Sequence, residues 1–112
     1  MDKIYFGEFK NRADVEKVFD VKLDDSINIL CAYYGTGGYN GWAYVFYQQE
    51  GKLYEVDGVH CSCFGLEGQW EPDETSFIAI KHVLDKGTKY DIYDEDFKKR
   101  LYSLIEQEKT NE

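Results

Sequence analysis

The sequence predicts an α+β domain: a small antiparallel β-meander of three to four strands with about three helices packed on it. Three observations predict this. From Ser26 to Gln49 there is no Asp, Glu, Lys or Arg, although 31% of the chain is charged. Within and just after that stretch, runs of apolar residues are separated by Gly- and Asn-containing turns, the pattern of consecutive strands. On either side, apolar residues recur at helical spacing behind capping residues. The length, 112 residues, fits one domain spanning 1–112. A chain of this size buries roughly 60–70% of its unfolded surface, enough for one core without staples.

In chain order, Lys3 to Phe9 alternates weakly and reads as a short strand or an extended arm. Asn11 caps a helix running through Asp20, with Val15, Val18 and Phe19 on one side. Asp24-Asp25-Ser26 is a turn. Ile27 to Tyr34 is the first main strand, with Ile27, Ile29, Cys31 and Tyr33 expected on one face and Leu30, Ala32 and Tyr34 on the other. Both faces being apolar, the strand is expected to be central and covered on both sides. Trp42 to Gln49 is the second strand. Glu50-Gly51-Lys52 is a tight turn, and Leu53 to Val59 is the third strand, whose Glu55 and Asp57 predict an edge with one wet face. Residues 60–70 form a loop. Glu71-Pro72-Asp73-Glu74-Thr75-Ser76 reads as a helix start, with acids and Pro in the first turn. Phe77, Ile80 and Val83 or Leu84 give that helix its stripe, and Lys86-Gly87 ends it. A last helix, capped between Asp91 and Asp94, runs to about Lys109 with Phe97, Leu101, Leu104 and Ile105 in register.

Charge narrows the partners. Thirteen basic residues stand against 22 acidic ones, a net charge of −9. Residues 1–60 hold 6 basic and 10 acidic, residues 61–112 hold 7 and 12, so the excess is spread along the chain and is no tail. Such a surface is repelled by phosphate backbones and anionic membranes and suits a basic protein partner. No direct nucleic-acid or membrane partner is therefore expected. Neither a signal peptide nor a membrane span is expected, since the longest apolar run falls far short of ~20 residues. Three Cys, two of them adjacent in spacing at Cys61 and Cys63, read as reduced thiols of an intracellular protein.

Three stretches could carry function. Gly35-Thr36-Gly37-Gly38-Tyr39-Asn40-Gly41 joins two strands and has no Lys, which argues against a phosphate cradle. It is either a plain hairpin or a contact surface of the Tyr/Gly/Asn kind that binding loops use. His60-Cys61-Ser62-Cys63 places imidazole and thiols together. With His82 they form a candidate zinc set of His60, Cys61, Cys63 and His82. A Cys nucleophile with His60 as base, or simple buried thiols, are the alternatives. Gly65 to Glu74 carries four acids and Trp70. Its acids could bind Mg²⁺ or serve in acid–base work, but a helix N-terminus explains them more simply, and Trp70 is expected to plug the junction of sheet and helix. The chain has no complete catalytic set. The residues expected to face a partner are Tyr34, Tyr39, Asn40, Trp42, Glu67 and Glu71.

Gly41-Trp42-Ala43-Tyr44-Val45, Gly51-Lys52-Leu53-Tyr54-Glu55-Val56 and above all His60-Cys61-Ser62-Cys63-Phe64-Gly65-Leu66-Glu67-Gly68-Gln69-Trp70-Glu71-Pro72 resemble a family of small proteins carried by tailed bacteriophages and prophages. The resemblance covers roughly residues 26–85 and gives no residue a role. It implies the cytoplasm of an infected bacterium. Small acidic phage proteins without a catalytic signature are often inhibitors or modulators of host machinery, defence systems included. The leading expectation is thus a non-enzymatic binder of a host protein. A zinc or thiol protein and a structural, oligomeric phage module are the alternatives.

Overall fold

The computed structural model describes residues 4–37, 40–60, 65–86 and 95–110. It is an α+β fold built on one five-stranded sheet in the order β1-β2-β3-β4-β5. The strands are β1 (Tyr5–Gly7), β2 (Ile27–Gly37), β3 (Asn40–Gln49), β4 (Lys52–His60) and β5 (Asp73–Thr75). The helices are α1 (Arg12–Phe19), α2 (Phe77–Lys86) and α3 (Glu95–Thr110). β2 to β5 form an antiparallel meander, while β1 pairs parallel to β2 with Tyr5 opposite Ala32.

The sheet has two apolar faces, and each is covered. On one face Cys31, Tyr44 and Phe46 pack under α2 and α3 against Ile80, Leu84, Phe97, Leu101, Leu104 and Ile105. On the other face Ile27, Ile29, Ala32, Ala43, Val45, Tyr47 and Val56 pack against Phe9, against Val15 and Phe19 of α1, and against Leu23 and Leu66. The charge-free stretch is therefore the middle of a three-layer sandwich, as a strand apolar on both sides requires.

β2 departs from simple alternation. Ile29 stands opposite Tyr47 but Cys31 stands opposite Phe46, so Leu30 is the extra residue of a β-bulge. Leu30, Cys31 and Tyr33 then share the α2/α3 face, whereas Ile27, Ile29, Ala32 and Tyr34 share the α1 face. Strict alternation from Ile27 onward assigned the wrong face to every residue beyond Leu30 relative to Ile27 and Ile29. The hydrophobic pattern could not reveal this, because both faces are apolar and a slip by one residue leaves them equally so.

α1 begins as its sequence suggests. The Asn11 side chain accepts from the Asp14 N–H at 2.9 Å. It ends one residue early, with Asp20 in the left-handed region at φ 55° and with Val21 N–H bonded to the Glu16 carbonyl, a Schellman stop. Arg12 then staples the helix to the next turn, donating to the Ile27 carbonyl at 2.7 Å and to the Asp24 carbonyl at 2.6 Å. The β3–β4 turn needs positive φ at both central residues, and Glu50 (51°) and Gly51 (80°) supply it.

Two expectations are corrected. The acidic segment before α2 is not its first turn: Asp73–Thr75 is β5, paired with Leu53 to Glu55 of β4. α2 starts at Phe77, capped by the Ser76 hydroxyl, which accepts from the Ala79 N–H at 3.1 Å. Pairing with a strand edge satisfies backbone groups that a helix start would leave open, and it outweighs the local helix signal. For the same reason β4 is an edge only beyond Glu55. Glu55 itself is half-buried and accepts from the hydroxyl of the fully buried Tyr44 at 2.7 Å. α2 and α3 present the predicted stripes, and the capping residues Asp91 to Asp94 and Gly87 lie outside the described residues.

A candidate partner-binding cleft

The partner-facing residues expected from sequence separate in space. Tyr39 lies outside the described residues. Asn40 opens β3, its backbone opposite Gly37. Trp42 is half-buried against the cluster under α2 and α3. Tyr34 lies on the opposite face of the sheet. The hairpin that was expected to be a long Gly/Tyr loop is mostly paired strand, since β2 runs to Gly37 and β3 starts at Asn40.

Tyr34 and Glu67 do come together. They line a cleft of about 370 Å³ with Glu8, Asp14, Lys17, Val18, Gly65 and Leu66. Each wall has a local cause. Gly7 ends β1 at φ 66°, where an added Cβ would run into the Tyr34 carbonyl, so only glycine fits. The turn that follows lets the Glu8 N–H donate to that carbonyl at 2.7 Å, which sets Glu8 beside Tyr34. Asp14 is held by the Lys10 N–H at 2.8 Å in the first turn of α1. Phe9 packs on the Tyr34 ring at 5.4 Å between centroids and fixes it. Val18 and the fully buried Leu66 supply the apolar part of the lining. Burial, and then the Glu8 and Glu67 carboxylates, push the Tyr34 phenol above its ordinary pKa. The cleft is therefore negative, with an aromatic wall.

Segment 65–72 carries a second feature on its other side. Asp57, Gly68, Gln69, Glu71 and Asp73 line a hollow of about 310 Å³. Gln69 does structural work there. Its carboxamide oxygen accepts from the Val59 N–H at 2.9 Å, and its NH₂ donates at 2.8 Å to the carbonyls of Val59 and of Gly65. The side chain takes the place of a neighbouring strand on β4 where β5 stops. Next to it, Gly58 packs so closely on Leu66 that an added Cβ would lie 2.7 Å from Leu66 Cδ2. Trp70 plugs the junction of sheet and α1, stacked on Tyr47 at 5.8 Å and edge-on to Phe19 at 5.2 Å.

The metal candidates are not assembled by the described residues. Cys61 and Cys63 lie outside them, and His60 is described only as the last residue of β4, opposite Gly41. His82 is exposed on α2, off the Ile80–Leu84 stripe. Among the described residues no three His, Cys, Asp or Glu side chains converge to hold a metal ion. Cys31 is fully buried, and burial pushes its thiol well above the ordinary pKa, against the pull of Arg100. A thiol so placed is a poor nucleophile.

Sequence reasoning missed Glu8, Asp14 and Lys17 as companions of Tyr34. Only the parallel pairing of β1 with β2 brings Glu8 there, and no local pattern signals it. Among the described residues no helix is long and apolar enough to cross a membrane. Comparisons with protein-family models, with curated proteins and with solved structures find no match to the chain.

Proposed function

We propose that the protein binds a partner protein with a basic surface, through the carboxylates on either side of segment 65–72, and modulates or inhibits that partner without chemistry of its own. In the phage setting that the sequence resemblance implies, the partner is a host protein of the bacterial cytoplasm, defence systems included. The observation that carries this reading is the cleft in which Tyr34 and Glu67 meet Glu8 and Asp14. It combines an aromatic wall, apolar lining and excess negative charge, as a site for basic side chains requires. The net charge of −9 supports it at longer range by steering a basic partner toward the molecule.

The test is capture of a partner from lysate of a bacterial host, followed by measured affinity for the protein retained. Tyr34→Ala/Glu67→Gln should weaken binding at least about tenfold, a loss of about 1.4 kcal/mol, with the circular dichroism spectrum unchanged. Affinity should fall as salt rises. A retained protein whose affinity ignores both the double substitution and salt would overturn the reading.

A further inference from the structure

We infer that the cleft between α1, the Gly7–Glu8 turn and residues 65–67 receives one arginine side chain of the partner, its guanidinium between Glu8 and Glu67 beside the Tyr34 ring. This rests on the proposed function and names what the cleft takes.

The argument starts from the shape of the lining. Glu8 and Glu67 come from separate segments, line the same cleft as Tyr34 and both bring negative charge to the neighbourhood of its phenol. A planar fork of donors meets two carboxylates and an aromatic ring better than a point charge does, because it bonds each carboxylate through separate N–H groups and stacks on the ring. Half-buried Val18 offers apolar surface for the methylene stem that leads to the guanidinium. A bare divalent ion would gain nothing from that apolar lining, since it requires a shell of oxygen ligands, and no three of the described carboxylates converge to hold one. An anion would meet three carboxylates against the one ammonium of Lys17. Lysine could enter, but its compact, strongly hydrated ammonium cannot span both carboxylates and lie on the ring.

The experiment titrates the full-length protein with N-acetyl-arginine amide and follows the Tyr34 ring and Leu66 methyl signals by NMR. Parallel titrations use the lysine amide and the uncharged citrulline amide. Saturable shifts are expected at both residues with the arginine probe. Binding should be about tenfold weaker with citrulline, and about tenfold weaker for arginine in Glu8→Gln/Glu67→Gln, whose signal dispersion reports that it remains folded. No saturable shift, or equal binding of citrulline, would overturn the inference. Two failures can be told apart. If a lysate partner binds in a Tyr34- and salt-dependent way but the arginine probe does not, the occupant is wrong and the binding role stands. If the probe binds and no partner is retained, the cleft is as inferred and the binding role fails.

Discussion

Gln69 shows how one side chain can replace a strand. Val59 points its N–H and C=O away from β3, beyond the reach of the short β5, and the Gln69 carboxamide meets both as a peptide group would. Glu has the same shape but can only accept when ionised. Gln69→Glu would turn the two donated bonds, to Val59 and Gly65, into contacts between a carboxylate and carbonyl oxygens. We expect a loss of about 2–3 kcal/mol in urea unfolding, partly recovered at low pH where the carboxyl regains its proton. A change within about 0.5 kcal/mol would show the clamp to be incidental. This residue was not legible in the sequence. It lies in a Gly-containing loop, and its role depends on where β5 ends, which local helix signals at Glu71 to Glu74 concealed. Tyr34, by contrast, was legible as a strand residue, but its face was not, because of the bulge at Leu30, and its companions come from distant segments.

At the scale of elements, the bulge in β2 makes an unusual deletion tolerable. Removing one residue from a central strand normally turns every following side chain to the other face. Here Ile29 and Cys31 already stand opposite the neighbouring residues Tyr47 and Phe46, so removing Leu30 leaves a regular ladder with every other residue on its present face. The deletion should cost no more than a Leu truncation, about 2–3 kcal/mol, while deletion of Ala32 should abolish folding; thermal melts of both proteins decide it. The strands and helices were largely readable because their apolar periods are long and their caps conventional. The bulge and the short β5 were not, and β1 was legible only as a short strand or arm without its parallel partner, because three-residue strands carry no period and are made only by the neighbours they pair with.

For the whole molecule, charge acts in two opposite ways. A net charge of −9 repels itself, so added salt up to about 0.15 M should raise the melting temperature. The same salt should weaken partner binding, and a fall in both quantities together would exclude this account of the surface. Alkali acts through tyrosine. Burial holds the phenols of Tyr5, Tyr34 and Tyr47 above their ordinary value of 10.0, so the folded state keeps protons that the unfolded chain gives up. Stability from these groups is complete below pH 10.0 and drains away as pH rises through their folded values. Urea unfolding measured either side of that pH should show the decline, and Tyr34→Phe should reduce it.

The parallel seat of β1 also bears on how the chain is made. The ribosome delivers β1 and α1 first, but Tyr5 waits for Ala32, and the Val15–Phe19 stripe waits for the sheet face it covers. The meander, in contrast, can zip each strand onto the one just synthesised. The β1–α1 segment therefore emerges with apolar groups that have no partner until the strands that follow it are made. Of the residues that line the cleft beside Tyr34, Gly65, Leu66 and Glu67 are the last to be synthesised, so the proposed binding site cannot be complete until that segment has docked.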